Sequence, residues 1–140
     1  MQSLMIKSHK PPTMYLGEYI FILNKGLNSV KPMHEPCANC FVMIFPSKED
    51  KESYYWLSYS LWKAKFWHQH LVGSVIPFLR IFDFKKEFDS KTRIMMHEHE
   101  EHLKNVKALQ LLEQKEAQFH KNLVLINDMK RVILYRYIKK

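Results

Sequence analysis

Three features are scarce in this chain of 140 residues, and each scarcity excludes a class of protein. Glycine occurs only three times while nearly half of the residues are hydrophobic, which excludes a disordered or low-complexity chain. The two cysteines stand three positions apart, too close to cross-link a secreted domain, so a reducing cytoplasm is expected. No apolar run is long enough to span a bilayer, and the first twelve residues are not expected to be a signal peptide. The length predicts a single domain of residues 1–140, with 1–13 flexible.

Acidic residues are also scarce, at 14 against 22 basic residues, which leaves a formal charge of +8. Residues 121–140 hold six basic side chains and one acidic side chain, whereas residues 80–120 are balanced at eight of each. Such a clustered excess indicates an anionic partner, most often nucleic acid, and no membrane association is expected. The predicted nucleic-acid contacts in this segment are Lys130, Arg131, Tyr135, Arg136, Tyr137, Lys139 and Lys140.

Residues 47–73 predict a long central helix with a marked start and end. Ser47 follows Pro46 and is a good N-cap, and Asp50 nearly completes a capping box with it. Gly73 is the predicted end, because glycine adopts the left-handed conformation that closes helices.

This helix carries two apolar stripes at helical spacing. The first is predicted to be core and comprises Tyr54, Leu57, Leu61, Ala64, His68 and Leu71. The second comprises Tyr55, Tyr59, Trp62 and Phe66. A helix that is apolar on most sides is usually buried on most sides, so the second stripe is either core as well or a partly exposed surface. If exposed beside Lys63 and Lys65, its rings would stack on bases or anchor a protein partner.

Branched and aromatic residues predict strands at 14–24, 40–45 and 73–82, with Pro77 placing the third at an edge or a bulge. The loop between the first two strands contains Lys25 and Lys31. These two lysines are predicted to bind nucleic-acid phosphate, with backbone amides of the loop completing an anion cradle. The alternative is an ordinary connecting loop.

The last third predicts a short helix at 84–88, a long polar helix at 91–120 and a terminal hairpin at 121–138. Asn127-Asp128 would form the hairpin turn between two β-prone runs, although the same residues also fit a continuation of the preceding helix. The predicted fold class is therefore α+β, with a small mixed sheet packed on the central aromatic helix.

Two motifs contain residues that bind metals. Pro36-Cys37-Ala38-Asn39-Cys40 resembles half of a zinc deaminase signature, but the preceding His-x-Glu half is missing, so that activity is rejected. A structural zinc site at Cys37 and Cys40 would need two further ligands from His34, His68 and His70; the alternative is a reduced, partly buried pair. The run HEHEEH at 97–102 predicts a solvated helix face. No nucleophile has an evident base, so we expect neither an enzyme nor a cofactor other than zinc.

The runs GLNSVKPMHEPCANCFVMIF and YYWLSYSLWKAKFWHQHLVGSVIPFLRI resemble an uncharacterised protein family of Bacteroidetes over residues 19–82. The resemblance implies a bacterial, mobile-element context, and it assigns no activity and no site residues.

These observations favour a small, non-enzymatic, basic accessory protein that binds RNA or single strands through charge and stacking. One alternative is a phage or mobile-element inhibitor of the anti-CRISPR kind, with the second stripe bound to a defence nuclease. Another is a zinc-stabilised module.

Overall fold

The computed structural model describes residues 5–11 and 13–139, and it confirms the α+β class. The chain divides into two units, residues 1–102 and 103–140. The first unit contains strands β1 (Met5–Ser8), β2 (Glu18–Leu23), β3 (Pro32–Met33) and β4 (Cys40–Phe45), helices α1 (Lys48–Lys63) and α2 (Ile81–His97), and a 3₁₀ helix (Phe66–His70). The second unit is formed by most of α3 (His99–Lys139).

The sheet has the order β1-β4-β2-β3, and every neighbouring pair is antiparallel, so the predicted mixed sheet is wrong. β4 has the predicted limits and lies between β1 and β2, which explains why its six residues are almost all buried. β1 lies within the segment predicted to be flexible. β2 occupies only part of 14–24, because Gly17 has a φ of +86° just before its first residue.

The two faces of the sheet are covered differently. One face packs against the helices, where Phe84 stacks on Phe41 with ring centroids 5.4 Å apart. The other buries Phe21 and Val42 under partly buried side chains, among them Tyr15. The helical side therefore holds the larger core, and α1 faces it through Tyr54, which is 5% exposed.

α1 begins as predicted, since the Ser47 hydroxyl accepts a hydrogen bond from the Asp50 amide at 3.2 Å. It ends ten residues before Gly73, because Lys65 adopts a left-handed conformation with a φ of +59°. The reversal leads into the 3₁₀ helix, where Trp67 is 1% exposed and lies 5.3 Å from the Phe84 ring. Burying an indole ring contributes more than the roughly 1–2 kcal/mol that a left-handed non-glycine residue costs.

The predicted strand at 73–82 is instead a closed loop followed by the first residues of α2. Val72 and Phe78 exchange two backbone hydrogen bonds of 2.9 Å, and Leu79 donates to the carbonyl of Asn24. Gly73 is needed within the loop, since its φ is +99° and a Cβ there would lie 2.9 Å from the Ile76 carbonyl oxygen. The four-stranded sheet therefore includes no strand from this segment.

The predicted terminal hairpin is also wrong, because 121–138 continues α3 to Lys139. The two-residue hairpin turns require positive φ at one or both central positions, and Asn127-Asp128 has no glycine to adopt it readily. Helical pairs form instead, including Asp128 with Arg131 at 3.7 Å and Gln118 with Asn122 at 3.1 Å. The predicted short helix at 84–88 lies within α2, whereas the predicted helix at 91–120 covers the end of α2 and the first half of α3, with a break at Glu98.

Candidate nucleic-acid interface

Four aromatic side chains form a continuous, half-exposed ladder along α1: Tyr55, Trp56, Tyr59 and Trp62. Tyr55 and Tyr59 lie nearly parallel with centroids 6.5 Å apart, Trp56 meets Tyr59 edge-on at 5.3 Å, and Tyr59 meets Trp62 at 5.8 Å. Tyr55 also contacts the core, whereas the other three rings are absent from the core clusters. The second stripe is therefore the partly exposed surface that the sequence left open.

One histidine and two lysine side chains contact the rings of this ladder. The His34 ring stacks on Tyr55 with centroids 5.0 Å apart and planes inclined by 15°. The Lys31 and Lys63 ammonium groups lie 5.6 Å and 4.9 Å from the centroid of Trp62. The ladder therefore combines aromatic rings with two positive charges on one surface, although Lys31 and Trp62 are far apart in sequence.

Phe66 does not belong to the ladder. It lies after the chain reversal at Lys65, on the 3₁₀ helix, where it packs against the core and meets Trp67 edge-on at 5.0 Å. The Lys91 ammonium lies 4.8 Å from its ring. Helical spacing placed Phe66 in the second stripe only because α1 was predicted to continue to Gly73.

The loop at 25–31 does not form the predicted amide cradle. The amides of Gly26, Ser29, Val30 and Lys31 all donate to backbone carbonyls, so they are already used within the protein. Ser29 is 2% exposed, and its hydroxyl donates to the Gly26 carbonyl at 2.5 Å. The loop instead positions Lys31 beside Trp62, whereas Lys25 forms a β-bridge with Phe78 away from that contact.

Helical geometry spreads the predicted C-terminal contacts around α3. A shallow groove of about 420 Å³ is lined by Asn127, Lys130, Arg131, Leu134, Tyr135 and Ile138. Arg136 lies on the opposite face of the helix, Tyr137 follows Lys130 by two turns outside the groove lining, and the ammonium of Lys139 lies 5.3 Å from the Tyr135 ring. Lys140 lies outside the described residues.

Cys37 and Cys40 are free thiols on the face of the sheet that is turned away from the helices, together with Phe21 and Val42. The Cys40 thiol is buried and donates to the Cys37 carbonyl at 3.2 Å, and burial raises its pKa to about 11. In residues 5–11 and 13–139, no three His, Cys, Asp or Glu side chains are grouped closely enough to hold a metal ion. The geometry thus offers no support for the zinc hypothesis.

An aromatic-lined groove of about 650 Å³ opens on the same side of the sheet, and no sequence pattern predicts it. His9 forms part of its wall, is 9% exposed, and shares a 2.9 Å hydrogen bond between its Nδ1 and the Tyr15 hydroxyl. His9 and Tyr15 come together through the β1–β2 connection, and neither stands in a recognisable motif.

The HEHEEH run is mostly exposed, as predicted, except for its last residue. His102 is half-buried, and its Nε2 lies 3.1 Å from the Ser53 carbonyl oxygen at the start of α1. Burial lowers the pKa of His102, aided by His99, while the contact with Ser53 works in the opposite direction. His102 therefore joins two helices of the first unit.

Sequence patterns alone did not identify two residues of this site, Trp56 in the ladder and His34 beside it. Trp56 belongs to neither predicted stripe, although its spacing of three residues from Tyr59 is a usable signal. His34 was considered only as a zinc ligand, and no local pattern connects it to Tyr55.

Comparison with known proteins yields one match. No curated protein and no solved structure matches the chain. No helix in the described part of the chain is both long and apolar enough to cross a membrane. A family model matches residues 6–136, well beyond the expected 19–82, and thus includes most of α3. The chain therefore belongs to the family of unknown function DUF6943.

Proposed function

We propose that this protein binds single-stranded nucleic acid, RNA or DNA, on the α1 ladder and acts without catalysing a reaction. The observation that carries this proposal is the placement of Lys31 and Lys63 beside the half-exposed ring of Trp62. Aromatic rings that stack on bases, next to cations that neutralise phosphates, are the two components of sequence-tolerant single-strand binding.

The dimensions of the ladder suit a short stretch of bases. Tyr55 and Trp62 are seven positions apart, which corresponds to about 10 Å along a helix. At a base separation of roughly 3.4 Å, this length accommodates two or three stacked bases. The excess positive charge of residues 121–139 adds a sequence-independent attraction for phosphates.

A protein partner is the competing function, and the flanking charges favour nucleic acid over it. Protein interfaces are enriched in aromatic residues and arginine but depleted in lysine. Both cations at the Trp62 ring are lysines, which bind phosphate as compact point charges.

The test is the fluorescence anisotropy of labelled single-stranded RNA and DNA of about 12 nucleotides at about 50 mM salt. Trp62→Ala should weaken binding by roughly 5- to 150-fold, since each base–aromatic stack contributes about 1–3 kcal/mol. Phe82→Ala is the matched control, because Phe82 is an exposed aromatic residue on α2 outside the ladder. Equal affinities of the two variants, or no binding by the natural chain, would refute the proposal.

Salt dependence tests the lysines separately. Lys63→Gln should reduce the slope of log affinity against log salt by about 0.7, the value for one single-strand phosphate contact. Lys85→Gln on α2 removes the same charge away from the ladder and should leave the slope nearly unchanged. A protein that co-purifies despite nuclease treatment, and is lost in Trp62→Ala, would instead establish the competing function.

A further inference from the structure

We infer that the chain self-associates through α3, as an antiparallel pair of helices from two copies. The evidence comes from the second unit and is independent of the α1 ladder. The surface concerned is called the α3 seam, and it consists of Leu112, Glu116, Phe119, Leu123, Ile126, Lys130, Ile133 and Tyr137.

The α3 seam follows the alternating spacing of three and four residues that defines a coiled-coil interface. Leu109 extends the same pattern by one position, so the repeat continues for four heptads, a length that argues for a coiled coil. Its six apolar residues are each between 48% and 76% exposed, although they lie on one face of a continuous helix. Helices in water gain most of their stability by packing such a face, which indicates a partner for this surface.

The two charged members of the α3 seam identify that partner as a second copy. Glu116 and Lys130 each lie seven residues from Leu123, one on either side. In an antiparallel pair centred close to Leu123, Glu116 of each copy approaches Lys130 of the other, so both charges gain an opposite neighbour. A parallel pair would instead place Glu116 against Glu116 and Lys130 against Lys130, which is unfavourable twice over.

The net charge of the helix favours the same direction. Residues 99–120 contain four acidic and three basic side chains, whereas residues 121–139 contain one acidic and five basic side chains. An antiparallel arrangement lays the basic half of one helix along the slightly acidic half of the other. A parallel arrangement would place the two basic halves together. Arg131 and Lys139 lie outside the seam positions and stay available to an anionic ligand in the paired state.

The test is the mass and dissociation constant of the full chain in solution, measured by sedimentation over a range of concentrations. The natural protein should show twice the 17.0 kDa mass of one chain. Glu116→Lys and Lys130→Glu should each weaken association by about tenfold or more, since each replaces two attractive contacts by repulsive ones. Combining the two changes restores opposite charges, so the double variant should regain most of the lost affinity.

Lys121→Glu is the control for net charge, because Lys121 is exposed on α3 outside the seam, and it should change association little. All of these positions are exposed in a single chain, so helix content measured by circular dichroism should be the same in every variant when variants are compared in the same state of association. A monomer at all accessible concentrations would overturn the inference. An association that the single changes leave unaffected, or that the double variant fails to restore, would overturn the antiparallel arrangement.

Discussion

Replacing Lys65 by glycine should slightly stabilise the folded protein, whereas the same change at Lys63 should destabilise it. The two lysines are both exposed and stand two positions apart, but their backbones differ. Lys63 is the last residue of α1, and Lys65 has a φ of +59° at the chain reversal that follows. Only at the second position does removal of the Cβ relieve a steric cost.

The expected magnitudes follow from these conformations. A left-handed non-glycine residue costs about 1–2 kcal/mol, and Lys65→Gly removes this cost. Glycine also makes the unfolded chain more flexible, which lowers the free energy of unfolding by about 0.4–1 kcal/mol. The net stabilisation is therefore about 0.5 kcal/mol. At Lys63, glycine loses about 0.7 kcal/mol of helix propensity and about 0.5 kcal/mol from the exposed contact with Trp62. The two variants should therefore differ by about 1.5 kcal/mol.

Urea unfolding followed by tryptophan fluorescence measures this difference in the first unit alone, because all three tryptophans lie in residues 56–67. Lys65→Ala is the control, since it retains a Cβ and should give no stabilisation. If Lys65→Gly destabilised the protein as much as Lys63→Gly, Lys65 would be in an ordinary helix. The interpretation in which α1 continues to Gly73 would then be correct.

Three further predictions concern the core and its titratable groups. Phe88→Ala should destabilise the first unit by about 3–5 kcal/mol because Phe88 is fully buried. Phe82→Ala, at an exposed position of the same helix, should cost under about 0.5 kcal/mol. Similar urea midpoints for the two variants would contradict the assigned core. Burial lowers the pKa of His102, so the unfolded state binds more protons and the stability of the folded protein should fall as pH drops below about 6.5. His102→Gln should therefore make the urea midpoint less dependent on pH. An unchanged dependence of the midpoint on pH would refute the burial of His102. The pKa of native Cys40 is about 11 against an ordinary 9.0, so at pH 8 its reactive thiolate should be about 100-fold less populated than in the unfolded chain. Its reaction with iodoacetamide, followed by peptide mass spectrometry, should therefore be about 100-fold slower without urea than in urea. Equal rates would mean that the thiol is not buried.

The features that were predictable from sequence are those governed by neighbouring residues. The start of α1 was predictable because a serine N-cap binds an amide only three residues away. The limits of β4 were predictable because an uninterrupted apolar run of six residues needs burial on both faces. The rings that form the ladder were recognised because Tyr55, Tyr59 and Trp62 lie at helical spacing.

The errors occurred where distant parts of the chain compete with local preference. The end of α1 depends on the burial of Trp67 against Phe84, which comes from another helix. Residues 73–82 have strand-forming composition, but the contacts of Phe78 with Val72 and Lys25 close them into a loop. Such contacts leave no local pattern, so propensity alone could not locate them.

The sequence by itself determined the α+β class, the first turn of α1, the central strand and the basic character of the C-terminal segment. Each of these follows from composition or from spacings of a few residues. Only the tertiary structure decided that the sheet is antiparallel and that Phe66 lies apart from the ladder. It also decided that Lys31 and His34 join the ladder, because a loop distant in sequence folds against α1. Local spacing thus identified the aromatic side chains of α1, and the packing of that loop placed Lys31 and His34 beside them.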